Sequence, residues 1–140
     1  MFSVRIRRVM VREKLLTAPP DTTVREAAKL MAGSRVGAIV VVENELVAGI
    51  FTERDAVFRV IAQGRDALTT CLADVMTRSP LTVDPERTFG YALQLMHEHG
   101  FRHVPVVENG KPVGIVSARD ALDPEMEDFV CEAQRRENIR

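Results

Sequence analysis

The chain carries the same segment twice. At an offset of 65 residues, Thr17–Ala56 aligns with Thr82–Ala121 without a gap, and 15 of the 40 aligned positions are identical. The identities include Thr23/Thr88, Leu30-Met31/Leu95-Met96, Val41-Val42-Glu43-Asn44/Val106-Val107-Glu108-Asn109, Gly49-Ile50/Gly114-Ile115 and Arg54-Asp55-Ala56/Arg119-Asp120-Ala121. Two units of about 60 residues are each too small to bury much surface alone. The duplication therefore predicts two repeats packed against each other as one pseudo-symmetric domain.

Each copy reads as strand, helix, strand, strand, helix, an α/β unit of the order β-α-β-β-α. An extended piece (Leu15–Ala18, Leu81–Val83) leads through a proline turn to a helix. Thr23 and Glu26 fit a capping box ahead of the apolar spacing Val24, Ala27, Ala28, Met31. Thr88 caps Phe89, Ala92, Leu93 and Met96, and Gly100 suits the stop. Two apolar runs follow in each copy, Ala38–Val42 with Leu46–Phe51, and Val104–Val107 with Pro112–Val116. Asn109-Gly110 is a strong hairpin signal and Asn44-Glu45 a weaker one. Second helices are predicted over Glu53–Gln63, stopped by Gly64, and over Ala118–Leu122. The expected organisation is repeat 1 over 5–64, a linker and lead-in over 65–78 with Leu68, Leu72 and Val75 as its apolar residues, repeat 2 over 75–122, and a helical tail over 123–140.

Composition narrows the function classes. Nineteen Lys+Arg against 20 Asp+Glu leave a net charge of -1, which argues against a polyanion binder acting through bulk charge. The arginines of Val4-Arg5-Ile6-Arg7-Arg8 could meet nucleic acid or an acidic partner, but such alternation reads first as a half-exposed strand. No run approaches the ~20 apolar residues of a membrane span, and the residues after the first arginines lack a signal-peptide core. Cys71 and Cys131 offer neither a disulfide framework nor metal spacing, so a reducing, cytoplasmic setting is expected. His97 and His99 lie two apart on a helix and share no face. No nucleophile signature and no Gly-rich phosphate loop appear, so no enzyme and no required cofactor or metal are expected.

The clearest shared motif is Gly49-Ile50-Phe51-Thr52-Glu53-Arg54-Asp55 with Gly114-Ile115-Val116-Ser117-Ala118-Arg119-Asp120. A hydroxyl stands where a strand ends, and a carboxylate follows in the first helical turn. Two readings stay open. Thr52, Asp55, Ser117 and Asp120 can cap their helices, or the same geometry can present amides and a carboxylate to phosphate and ribose oxygens.

Repeat length, element order, the Val75–Pro85 run and both Gly-x-x-Ser/Thr-x-Arg-Asp motifs resemble two tandem cystathionine-β-synthase (CBS) domains, over about Arg5 to Leu122. The resemblance implies pseudo-twofold-related repeats packed sheet to sheet, a cleft that takes adenosine-containing ligands such as AMP, ADP or ATP, and pairing into a homodimer. It implies that Asp55 and Asp120 hold ribose hydroxyls and that Thr52 and Ser117 contact ribose or phosphate, with Arg119 in the same motif. It also implies that adenine lies against Thr17 and Gly37-Ala38-Ile39, or against Thr82 and His103-Val104-Pro105. Asp55 is then expected to work with Thr82 and Val104, and Asp120 with Thr17 and Ala38. Arg102 and His103 stand where the first copy has Gly37 and Ala38, so the two clefts differ near a ligand's phosphates.

The expected role is a regulator that senses energy or metabolite state and passes it to an unidentified target protein. A ligand-free docking module is the rival and a nucleic-acid binder the weaker one. In the tail, Asp123 caps and Met126, Phe129, Val130 and Ala133 form a stripe that fits either this chain or a second copy.

Overall fold

The computed structural model describes residues 3–10 and 15–122. The two long helices form where their caps predict. In α2 (Val24–Ser34) the Thr23 hydroxyl accepts the Glu26 amide at 3.2 Å, and Val24, Ala27 and Met31 are buried. In the matching Phe89–His99 helix the Thr88 hydroxyl accepts the Tyr91 amide at 3.1 Å, and Phe89, Ala92 and Met96 are buried. Gly100 ends this helix in the left-handed region, φ 73°. Arg35 takes that conformation at the end of α2, φ 56°, without glycine's freedom.

The strands pair as two antiparallel hairpins, β2 (Ala38–Glu43) with β3 (Leu46–Thr52), and His103–Glu108 with Lys111–Ser117. Both carry a bulge at the same repeat position, Val41/Val42 and Val106/Val107. The weaker turn adopts the same geometry as the strong one: Asn44 and Glu45 both have positive φ, as do Asn109 and Gly110. The hairpin tips meet, with the Val47 amide donating to the Gly110 carbonyl at 3.1 Å and Lys111 pairing with Glu45 at 3.3 Å.

The apolar runs are continuous because both faces are covered. Ile39, Val41 and Phe51 pack on the α2 side. Ala38, Val40 and Ile50 face the other repeat, where Ile115 meets them. The result is a mixed α/β fold of two repeats packed against each other, as the duplication predicts, and joined sheet to sheet, as the resemblance implies.

The lead-in segments cross. The chain before repeat 1 forms α1 (Ile6–Met10), whose Ile6, Val9 and Met10 join the core of repeat 2. The chain before repeat 2 forms α4 (Leu72–Val75) and β4 (Thr77–Arg78), and both belong to repeat 1. That sheet runs β1 (Thr17–Ala18), β2, β3, β4. The crossings repeat bond for bond. Ile6 donates to Arg87 O at 2.8 Å and Phe89 to Val4 O at 2.7 Å, while Leu72 donates to Thr22 O at 2.8 Å and Val24 to Thr70 O at 2.9 Å. The two motif glycines receive the crossing chains. A Cβ on Gly49 would lie 2.5 Å from Met76 Sδ, and one on Gly114 would lie 2.9 Å from Met10 Cβ and Sδ.

Three expectations change. Val4–Arg8 is not a half-exposed strand; Val4 and Ile6 are buried and the segment turns into α1, because Ile6, Val9 and Met10 share a helical face that alternation over five residues does not reveal. The helix over Glu53–Gln63 is α-helical only at Glu53–Asp55 (α3) and continues as a π-helix at Ala56–Ile61, where the Ala62 amide reaches back five residues to Val57 O at 2.9 Å. Ala118–Leu122 is a 3-10 helix. The tail helix expected over 123–140 lies outside the described residues.

Candidate functional site

The motif residues stand at the ends of the two long hairpin strands. In repeat 1 the capping geometry is complete. The Thr52 hydroxyl accepts the Asp55 amide at 3.2 Å, and Asp55 Oδ2 accepts the Thr52 amide at 2.9 Å and its hydroxyl at 3.1 Å. In repeat 2 Asp120 Oδ2 accepts the Ser117 amide at 2.9 Å, while the Ser117 hydroxyl accepts the Arg119 amide at 3.1 Å. Asp55, Ser117 and Asp120 are buried. Each carboxylate uses Oδ2 for its own turn. Capping is therefore real, and it fixes the orientation of the second oxygen without consuming it. Asp55 Oδ1 lies 3.4 Å from Arg59 Nε, and the Arg59 guanidinium also donates to Met76 O at 3.0 Å.

Asp55 and Thr52 line a cavity of about 750 Å³ that has walls from both repeats. Repeat 1 contributes Ile50, Glu53, Arg54, Val57, Phe58 and Arg59; the chain entering repeat 2 contributes Thr77, Pro80 and Leu81; repeat 2 contributes Gly100, Phe101, Arg102 and His103. The size suits a nucleoside-sized ligand. Arg54 lies over the Phe58 ring at 5.0 Å. Among the described residues the Arg102 side chain makes no ion pair or hydrogen bond.

His103 reaches across the pseudo-twofold centre. A Cβ built on Gly37 would lie 3.0 Å from Glu53 Oε1 and 3.4 Å from His103 Cε1. The Glu53 amide donates to Gly37 O at 2.9 Å, as the Ala118 amide does to Arg102 O. Burial holds the His103 imidazole below its ordinary pKa, outweighing Glu53 and Asp120, which pull it up, and Arg102 adds to the depression.

Of the residues expected beside Asp55, His103 stands in the cavity wall. Leu81 and His103 line the cavity, whereas Thr82, Val104 and Pro105 do not. Val104 is fully buried in the core of repeat 2, and Pro105 O accepts the Val83 amide at 3.0 Å. The Asp120 side is placed differently. Thr17 is exposed on β1, Ala38 and Ile39 are buried, and Gly37 and Arg119 share a smaller cavity of about 430 Å³ with Arg35 and Glu53. Asp120 is not in its lining. Residues 11–14 and 123–124, which correspond in sequence to 76–79 and 58–59, lie outside the described residues. The sequence reading missed Glu53, Arg59, Phe58, Pro80 and Leu81. Arg59, four residues after Asp55, carried a signal in its spacing.

A family profile for the CBS domain matches residues 6–62 and again 72–125. The chain belongs to the CBS domain family. The CBS domain-containing protein YhcV of Bacillus subtilis is 39% identical over 107 residues, covering 76% of each chain. Among solved structures, a protein with CBS domains from Burkholderia ambifaria superposes with a TM-score of 0.81 at 31% identity, covering 89% of this chain and 96% of that one. A CBS domain protein of Pyrobaculum aerophilum, solved in complex with AMP, superposes at 0.79 with 27% identity, over 92% and 99%. The CBS pair spans 20%, 58% and 15% of three longer curated relatives from Arabidopsis thaliana and Schizosaccharomyces pombe. No helix among the described residues is long and apolar enough to cross a membrane.

Proposed function

We propose that this CBS pair is a non-catalytic regulatory module that binds an adenosine-containing ligand of the AMP, ADP or ATP class in the cavity beside Asp55. The observation that carries the reading is the cavity itself: it spans both repeats and holds a buried carboxylate whose orientation is fixed by its own helix turn. In this reading Asp55 accepts from ribose hydroxyls, Thr52 contacts ribose or phosphate, and Arg102 meets phosphate. The AMP bound by the Pyrobaculum relative supports the ligand class. A ligand touching both repeats shifts their relative placement by its differential affinity for the two arrangements, and a target protein reads the shift.

Isothermal titration with AMP, ATP, NADH and S-adenosylmethionine tests this. Binding of at least one, weakened by Asp55→Asn in a protein that still folds, is expected. Silence from all four removes the reading.

A second observation favours self-association. Val57, Phe58 and Ile61 are 50%, 58% and 73% exposed on the π-helical segment; Val57 and Phe58 also wall the cavity, and with Ile61 beyond it they form an apolar stripe that a second copy would cover. Sedimentation of the parent and of Ile61→Asp checks this: a monomeric parent would remove the homodimer, and a variant that stays dimeric would move the contact off this stripe.

A further inference from the structure

The smaller cavity, of about 430 Å³, carries a charge pattern that the Asp55 site does not explain. Met31 and Phe51 give it buried apolar walls. Arg35 enters it from the end of α2 in repeat 1 and Arg119 from repeat 2, and among the described residues Glu53 is the one carboxylate of its lining. The Glu53 carboxylate lies toward Gly37 and the His103 ring, with Oε1 3.0 Å from where a Cβ on Gly37 would stand. Among the described residues neither guanidinium makes an ion pair or a hydrogen bond, with Glu53 or with any other group. The cavity lies beside the cleft expected around Asp120 and not within it, since Thr17, Ala38, Ile39, Ser117 and Asp120 are all absent from its lining.

Arg35 also holds an unfavourable backbone conformation. It ends α2 at φ 56°, where the matching helix of repeat 2 ends on Gly100 at φ 73°. The left-handed region disfavours any residue with a Cβ, and no contact of the Arg35 side chain offsets that cost. A strained position filled by an unpartnered cation on a cavity wall points to a ligand as its partner. One guanidinium from each repeat presents two forked sets of N–H donors, and a phosphate group has enough oxygens to accept from both. The volume leaves room for a small group attached to that phosphate.

We propose that the cavity between Arg35 and Arg119 is a second binding site, for a phosphate dianion, inorganic or esterified to a small metabolite. The site stands whether or not a nucleotide binds beside Asp55. Titrations of the full chain with inorganic phosphate and with glycerophosphate, followed by backbone amide shifts in phosphate-free buffer of fixed ionic strength, test it. The proteins are the parent, Arg35→Gly, Arg119→Gln and Arg102→Gln. The parent should bind at least one of the two probes in the millimolar range or tighter, shifting the Gly37 amide, and the tighter probe separates the free from the esterified source. Arg35→Gly and Arg119→Gln should each weaken binding about tenfold or more, the loss of one charge-assisted pair. Arg102→Gln, in the other cavity, should change it by less than about threefold. Arg35→Gly also relieves the left-handed strain, so its Tm without phosphate should be no lower than the parent's, which separates lost binding from lost folding. Silence from both probes at about 20 mM overturns the site. So does an Arg35→Gly chain that binds as the parent does, or a loss that follows Arg102→Gln instead, which would place the anion beside Asp55.

Discussion

Replacing Gly49 by Ala isolates one packing claim with its own sign. The backbone of Gly49 is not in the left-handed region, so in open space the change would stabilise by about 0.4–1 kcal/mol through the unfolded chain. The space is not open. The new methyl would sit 2.5 Å from Met76 Sδ and 2.9 Å from Thr77 O. The thioether can swing away, but the carbonyl belongs to β4, which is paired to β3 at Gly49↔Arg78 and Ile50↔Thr77. Relief therefore requires β4 to move. Overpacking of this kind costs about 1–3 kcal/mol. With an unfolding entropy of about 0.3 kcal/mol/K for a chain this size, Tm should fall by about 3–10 °C. Gly33→Ala is the internal control: it lies within α2, has nothing within 4 Å of a new Cβ, and should raise Tm by about 2–3 °C. Thermal melts followed by circular dichroism on the three proteins decide the matter. A Gly49→Ala chain that melts at or above the parent would show that β4 does not press on that glycine.

Leu72 is fully buried in repeat 1, so Leu72→Ala should cost about 2–5 kcal/mol in denaturant unfolding, while Leu68→Ala, 65% exposed, should stay within about 0.5 kcal/mol. His103 carries a pH signature. Its folded pKa is depressed, so below the ordinary value of about 6.5 the unfolded chain takes up a proton that the folded chain resists. Its contribution to stability is complete above that pH and is lost as pH falls toward the folded pKa. The drop in Tm between pH 7.5 and 5.5 should be smaller in His103→Gln than in the parent. Thr52→Val removes one half of the reciprocal cap and should cost about 0.5–2 kcal/mol in the same melts, leaving Asp55 still able to accept the residue 52 amide.

The readable parts of the fold were local. Thr23 and Thr88, Gly100 and the Asn109-Gly110 turn act within four residues of themselves, and such signals survive without knowledge of the tertiary structure. The crossing of the lead-ins is not local, and its signature was hidden by register. Val9-Met10 and Val75-Met76 repeat at an offset of 66, one residue away from the 65 of the main alignment. Alternation along a strand accounts for one part of the cavity wall. In a strand, neighbouring side chains point to opposite faces, so with Val104 committed to the core, His103 must be the one that faces the cavity. The carboxylates were visible as motif members, but the meeting of Asp55 and Arg102 in one cavity was not, because it needs both repeats in place.

The crossed lead-ins also set an order for synthesis. Residues leave the ribosome from the amino end, yet α1 has its seat against Phe89, Val106 and Val116, which emerge some hundred residues later at the latest. Repeat 1, for its part, lacks Leu72, Val75 and Met76 until the chain has grown well past the first hairpin. A nascent chain cut at the boundary between repeats would therefore hold one helix with no seat and one sheet with an uncovered edge. The two halves have to be completed together, and a gene fusion or truncation that respects the repeat boundary in sequence would break both of them in space.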